Sequence, residues 1–337
     1  MQTGDTLSID PCGLCGDTKR QVLGTRGRGL EPLTSVICLG CGLVSHHPLP
    51  DPAEVAAFYA TQYRLAYKGG WNPKPKHTLR ALRGAISRAR RLLPLVPAGA
   101  RVLDLGASSG EFTYVMGRAG CDARGIEPNQ GYGEFARRTW AVEISSCGFA
   151  EAEVAPASLD LITLNHVLEH LPDPWEALRR IAGWLGPEGL LFVEVPNLIG
   201  NQKLGMNTFH RAHIWNFTPE TLCLLAWQCG LVPRTGEDLT RTSLVFRKRH
   251  DHDPRPVGAD RALAQRLITQ ITRAQGLTNY LASGTFLVRR WNKWRRSLNE
   301  ALALRGVADL RAFADAEVAA ARLEGVNRRP RSASGEA

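Results

Sequence analysis

Three groups of residues in this 337-residue chain have types and spacing that could do chemistry. The first is two cysteine pairs, Cys12-Gly-Leu-Cys15 and Cys38-Leu-Gly-Cys41. A C-x-x-C spacing lets two thiolates point at one tetrahedral ion. Two such pairs therefore predict a zinc ribbon with Cys12, Cys15, Cys38 and Cys41 as ligands. Gly16 and Gly42 follow the pairs and permit tight turns that would aim backbone N–H groups at the sulfurs. Four sulfurs fill the coordination sphere, so the expected zinc is structural. A redox dithiol is the competing reading, but it usually needs one pair beside a βαβ unit.

The second group is Asp104, Gly106, Ala107, Ser108 and Gly110 in Arg101-Val-Leu-Asp-Leu-Gly-Ala-Ser-Ser-Gly110, with Glu127-Pro128 further on. An apolar strand breaks at Gly106 and resumes as a helix with Phe112, Val115 and Met116 on its pattern. Gly106 can take backbone angles closed to other residues and lets a ligand approach the main chain, and Gly110 lets the helix start close to the strand. The spacing is G-x-x-x-G, not the G-x-G-x-x-G of dinucleotide sites, and a carboxylate at Asp104 would repel phosphate. Glu127 lies about 20 residues past the turn, where an acid can accept both ribose hydroxyls. The third group is His166 and His213, imidazoles able to take a proton near neutral pH.

Ribose recognition without a pyrophosphate, beside an acid that could meet a cation, points to S-adenosylmethionine. Val102-Leu-Asp-Leu-Gly-Ala-Ser-Ser-Gly110, Gly125-Ile-Glu-Pro128 and Leu159-Asp-Leu-Ile-Thr-Leu-Asn-His-Val-Leu-Glu-His-Leu-Pro-Asp-Pro174, in this order, resemble the class I S-adenosylmethionine-dependent methyltransferases over roughly residues 95–248. A Rossmann-type domain for NAD or a sugar nucleotide is the alternative. The resemblance implies that Glu127 holds the ribose and that residues 146–149 meet the adenine. It also implies that Asn165 and His166 leave the fourth strand facing the methyl group. Asp104 would fix the turn or face the methionine ammonium. Glu169 and His170 read as structural. A helix before the first strand would cover the cofactor, making Phe58, Tyr59, Tyr63 and Tyr67 candidate lid residues unless they simply pack on the sheet.

The ribbon, this domain and then Val195-Pro-Asn197 and His213-x-x-x-Phe-Thr together resemble bacterial methyltransferases of sugar and cell-envelope pathways. In the sugar C-methyltransferases among them a Tyr-His-Glu-His segment supplies the base. Here the last His is His213 and Ala212 takes the Glu position, and no counterpart of that group's second α/β domain is expected. O-methylation of a sugar or related glycan unit is therefore favoured over C-methylation. A buried structural histidine is the alternative for His213. A quinone or other small aromatic acceptor, an RNA acceptor, and an inactive binding platform are the rival functions.

Elements that must position these groups follow from periodicity. Strands are expected near 101–105, 122–126, 142–145, 159–164 and 189–195, with helices near 110–119, 129–140 and 173–185. Their alternation predicts an α/β fold: a Rossmann-like, seven-stranded methyltransferase sheet covered on both faces. Residues 231–234 and 242–248, joined by a short turn, predict an antiparallel last strand. Asp51 and Pro52 should start a helix, and a second helix near His77–Leu93 is studded with arginines. The expected organisation is a zinc ribbon over 1–50, a helical connector over 51–97, the catalytic domain over 98–249, a basic helical extension over 257–325 and a disordered tail over 326–337.

The net charge of +10 sits almost wholly in residues 247–337, which hold 18 Lys+Arg against 9 Asp+Glu. There Leu287, Trp291, Trp294, Leu298 and Leu302 share a helical face flanked by Arg289, Arg290, Lys293, Arg295 and Arg296. Packing on the catalytic domain or self-association as a homodimer is expected first, and peripheral membrane contact second. Nucleic acid ranks lower, because base-stacking aromatics are not interleaved on an exposed sheet. No run approaches the ~20 apolar residues of a membrane span, and no leader is visible. Free thiolates for zinc fit a reducing compartment. The expected location is cytoplasmic, with the inner face of the membrane as an option.

Overall fold

The computed structural model describes residues 1–58, 73–200, 208–249, 257–275 and 285–323. Tyr59, Tyr63, Tyr67, the proline-rich 251–256 linker and the 326–337 tail lie outside the described residues. Two compact units make up the chain: Met1–Val55, Asn165–Ala182 and Phe192–Trp291 form the first, and Ala56–Leu164, Gly183–Leu191 and Asn292–Ala337 the second.

The expected α/β fold is present as a seven-stranded sheet of order β11-β12-β9-β8-β5-β6-β7. Its strands are β5 (Arg101–Leu105), β6 (Asp122–Ile126), β7 (Glu143–Ser145), β8 (Leu159–Asn165), β9 (Leu185–Glu194), β11 (Leu231–Pro233) and β12 (Ser243–Lys248). β5 pairs parallel with β6 and β8, and β6 with β7. The final pair, β11 and β12, is antiparallel, as its short turn requires. Central strands read as near-continuous apolar runs because helices cover both faces. Val102, Leu103, Leu161, Ile162 and Leu164 are accordingly all buried. β9 starts four residues before the expected 189: the Gly186-Pro-Glu-Gly189 stretch, which looks like a turn, is already strand. A side chain on Gly189 would lie 2.8 Å from the Leu159 carbonyl, so only glycine fits this close pairing.

In the first unit the N-terminal sheet has the order β1-β2-β3-β4-β10. Its ribbon strands are β1 (Thr6–Ser8), β2 (Lys19–Arg26), β3 (Pro32–Cys38) and β4 (Val44–His46). The fifth strand, β10 (Trp215–Asn216), comes from far along the chain and pairs antiparallel with β4. Helix α7 (Arg261–Gln275) lays Leu263, Leu267, Ile268 and Ile271 against Leu23, Ile37 and Val44 of the ribbon. Asp51 accepts from the amides of Ala53 and Glu54 at the start of α1 (Pro52–Ala57), and Thr218 and Thr221 form a reciprocal capping box on α6 (Pro219–Gln228).

In the second unit α2 (Pro75–Leu92) carries the arginines that the sequence marked. Two of them take acids of the C-terminal helices. Arg80 binds Glu300 of α8 (Thr285–Ala303) through two bonds of 2.8 and 2.6 Å, and Arg83 binds Glu317 of α9 (Leu310–Ala320) through two of 3.0 and 3.1 Å. Paired fork geometry makes these stronger than ordinary surface ion pairs. The apolar stripe of α8 does not share that burial. Leu287, Trp291, Trp294, Leu298 and Leu302 are all exposed, which corrects the expectation that this face packs. No described helix is long and apolar enough to cross a membrane.

Candidate functional site

The second unit carries the glycine turn. Between β5 and α3 (Glu111–Arg118) the amides of Gly106 and Ala107 both donate to the Ile126 carbonyl, at 2.8 and 2.9 Å, sewing the turn to the end of β6. Gly106 and Gly110 have φ of +71° and +83°, a region that side chains avoid. A Cβ on Gly110 would also stand 2.6 Å from that of Ala136 on α4 (Gln130–Trp140), so the residue lets the two helices approach. Gly106 and Ser108 are partly exposed, leaving the main chain of the turn open to a ligand.

Glu127 is 3% exposed, and its two oxygens accept from the amides of Ser108 at 2.9 Å and Asn129 at 3.0 Å. Those bonds aim the carboxylate and leave each oxygen with further acceptor capacity. Pro128 and Asn129 follow, and Asn129 caps α4 by accepting from the Tyr132 amide. The residues thus fit a ribose diol and a ligand laid along a bare backbone. Asp104 is buried in β5 and accepts a 2.6 Å bond from Thr163 of β8, a tie across the sheet. Burial, against the helping Thr163 bond, raises its pKa from 3.8 to about 6.

Asp104 makes the stability of the fold depend on pH. A carboxyl whose folded pKa is raised favours the fold most below its unfolded pKa and loses that contribution as pH rises from 3.8 to about 6. Above that window the loss is of order 3 kcal/mol, from about 1.4 kcal/mol per pKa unit. Asp104→Asn keeps an acceptor for Thr163 and does not titrate. Relative to wild type it should gain up to about 3 kcal/mol between roughly pH 4 and pH 7 in urea melts. A constant difference across that range would show that the carboxyl ionises freely in the fold.

The first unit carries the four cysteines. Their sulfurs all lie within 4.8 Å of one another, with Cys12 to Cys41 at 3.7 Å and Cys15 to Cys38 at 3.5 Å. A zinc tetrahedron with arms of ~2.3 Å has edges of ~3.8 Å, so the set fits that ion. Hydrogen bonds from the other three sulfurs lower the pKa of Cys12 against its burial. The amides of Gly16 and Gly42 donate to the carbonyls of Cys12 and Cys38 rather than to sulfur, closing the two turns. His46 is buried. Its ring contacts Ser35 Oγ at 3.2 Å and the His210 carbonyl at 2.9 Å, and burial lowers its pKa.

The same unit gathers imidazoles around one buried acid. His166, directly after β8, has φ of +56°, a strained value for a residue with a side chain, and its amide donates to the Glu194 carbonyl. Its ring lies 3.4 Å from Glu169 and 3.6 Å from Glu194. Desolvation opposes its protonation, but the side chain is 53% exposed and the two carboxylates prevail, raising its pKa to about 9. Glu169 is 1% exposed. His170 stands 3.7 Å from it, and Nδ1 of His170 donates to the Ala212 carbonyl at 2.6 Å. The ring of His213 packs at 4.9 Å from that of His170 and 4.8 Å from that of His210.

The structure thus brings the turn residues Gly106, Ala107, Ser108 and Gly110 against Glu127 and Pro128 at the end of β6, and sets Asp104 into the sheet. Asn165 ends β8, and His166 and His213 gather at Glu169. Glu169 and His170, which read as structural, and His210, from the segment that carries His213, join them there. The first two stand three and four residues after His166, one helical turn on, and that spacing was the available signal.

Residues 76–235 match the family model described as a methyltransferase domain. Ubiquinone biosynthesis O-methyltransferase of Ralstonia nicotianae is 32% identical over 161 residues, 42% of this chain and 60% of that protein. C-methyltransferase NovU of Streptomyces niveus is 25% identical over 279 residues, 78% of this chain and 62% of that protein. The chain therefore spans less than two thirds of either relative. Among solved structures, Burkholderia thailandensis 1,6-didemethyltoxoflavin-N1-methyltransferase, with 1,6-didemethyltoxoflavin and S-adenosylhomocysteine bound, is similar at a TM-score of 0.44 and 20% identity, over 61% of this chain and 96% of that chain.

Proposed function

We propose that this chain, as the bearer of a class I methyltransferase domain over residues 76–235, moves a methyl group from S-adenosylmethionine to a hydroxyl of a small acceptor, a sugar or saccharide intermediate. The observation that carries the reading is the open turn sewn to β6 with Glu127 aimed by two amides. Gly106, Ala107, Ser108 and Gly110 would hold the cofactor along the main chain, and Glu127 and Pro128 would bound its ribose. Asn165, at the end of β8, completes the proposed contacts. Bound there, the sulfonium supplies an activated methyl group, and the protein's task is alignment. His166 and His213 would orient the acceptor hydroxyl. Alanine at position 212, where the sugar C-methyltransferases place a Glu, supports O-methylation. The likeness to ubiquinone O-methyltransferases supports a second acceptor class, the hydroxyl of a small aromatic or quinone precursor. The four cysteines would hold a structural zinc ion, which their spacing fits.

Two measurements test this. Calorimetry should register one S-adenosylmethionine per chain, and no binding would leave only a methyltransferase-fold platform. Mass spectrometry of nucleotide-sugar and glycan pools, with and without the gene, should then reveal a species lighter by one CH₂ in its absence. The same change confined to quinone precursors would move the acceptor to the second class.

The exposed stripe of α8 supports contact with an anionic membrane surface. Trp291 is 60% and Trp294 56% exposed, and the five flanking cations have no acid among them before Glu300. Each basic residue near such a surface contributes about 1 kcal/mol, and tryptophans favour the interface. The chain should sediment with phosphatidylserine-containing vesicles but not with neutral ones. Replacing both tryptophans by alanine should weaken this about tenfold or more. Equal recovery with neutral vesicles, or none with either, would remove the membrane from the account.

A further inference from the structure

We infer that Glu169, His170 and His213 form a second metal site, separate from the cysteines, for a borderline divalent transition cation such as Zn²⁺. Their ligand atoms all lie within 4.8 Å of one another, with His170 Nε2 already 3.7 Å from Glu169 Oε1. A cation with arms of ~2.1 Å brings such atoms to ~3.4 Å, so the site closes with movements of about 1 Å.

Two independent observations point to a cation here. Glu169 is 1% exposed, yet neither of its oxygens accepts a hydrogen bond. Buried carboxylate oxygens are rarely left so, because burial strips their water and only a donor or a cation replaces it. Its contacts with His166 and His170, at 3.4 and 3.7 Å, are longer than charge-assisted hydrogen bonds. The second observation is the tautomer of His170. Nδ1 faces a carbonyl at 2.6 Å and must carry the hydrogen, so in the neutral ring Nε2 presents its lone pair toward Glu169. Metal-ligating histidines are commonly held in this way, with the far nitrogen donating to a backbone carbonyl.

The donor set chooses the metal. Two imidazoles and one carboxylate suit zinc, iron or nickel, whereas magnesium and calcium prefer oxygen ligands throughout. Three protein ligands also leave positions open, unlike the closed four-sulfur set. His213 is only partly buried, so the open side can meet solvent or an oxygen ligand. The cation site stands on these donors alone. Its use in the reaction, to bind the acceptor oxygen and lower the pKa of its hydroxyl, rests on the methyl-transfer reading above.

Metal content and spectroscopy on the full chain test the inference. Wild type dialysed against micromolar Zn²⁺ should hold two equivalents, and His213→Ala and Glu169→Gln should each hold one. Co²⁺ substitution separates the sites, since thiolate charge-transfer bands report the cysteines and the second equivalent should add only ligand-field bands. The thiolate bands double as a check on folding; if Glu169→Gln loses them, His213→Ala, with its partly exposed ring, decides. Mg²⁺ in large excess should not displace the second equivalent. One equivalent in wild type, or a second that survives both substitutions, overturns the site. Failure of S-adenosylmethionine to bind while two equivalents remain would overturn methyl transfer and leave the metal site standing.

Discussion

Glu127→Ala should lower the affinity for S-adenosylmethionine by at least about 100-fold. Held by two amides, the carboxylate can accept from both hydroxyls of a ribose, and bonds to an ionised acceptor contribute about 1.5–3 kcal/mol each. Two such bonds lost amount to about two to four decades, at roughly 1.4 kcal/mol per decade. The substitution also leaves the buried amide of Asn129, and the partly exposed one of Ser108, without the oxygens they donate to now. The free protein should therefore lose about 1–3 kcal/mol per orphaned donor in urea melts. Glu127→Gln separates the effects: its amide keeps one acceptor, so the fold should suffer less while cofactor affinity still falls steeply. Calorimetry on both variants is the measurement. Unchanged affinity in a folded Glu127→Ala protein would place the cofactor elsewhere.

With zinc on the four cysteines, as proposed, Cys41→Ser or a chelator should unfold far more than the ribbon. Structural zinc contributes on the order of 10 kcal/mol to small domains of this kind. Here three further elements lean on the ribbon. The apolar face of α7 packs on Ile37 and Val44, β10 extends the sheet beyond β4, and buried His46 holds the His210 carbonyl. Loss of zinc should therefore open α7 to trypsin at Arg261 and Arg266 and loosen the 208–217 segment that carries His213. Limited proteolysis read by mass spectrometry checks this. Continued protection of α7 in zinc-free protein would mean that its packing does not depend on the metal.

The two predictions differ in how far the chain alone announced them. Local chemistry was legible wherever spacing along the chain equals spacing in space. The paired cysteines, the G-x-x-x-G turn with Glu127, the Asp51 cap and the alternation of strands with helices all concern residues within one or two turns of each other, or one βαβ unit apart. Hydrophobic period and turn chemistry act at that range. β9 was misjudged at its start because Gly-Pro-Glu-Gly carries turn residues, and only contact with Leu159 shows it to be strand.

What tertiary structure alone decided is where distant segments meet. Asp104 reads from its neighbours as part of the turn, but alternation along β5 points it at Thr163 of an adjacent strand. Nothing in residues 213–217 signals a strand, since two residues carry no period; they pair with β4 because its free edge needs a partner. That pairing brings His213, more than forty residues beyond Glu169, to the same buried acid. The apolar stripe of α8 has a helical pattern whether it packs or not, and periodicity cannot say what covers a face. The sequence by itself determined which chemistry the chain can carry, through side-chain types and near spacing. The fold decided which of those side chains share a site, because strand pairing and burial act between residues that the chain order keeps apart.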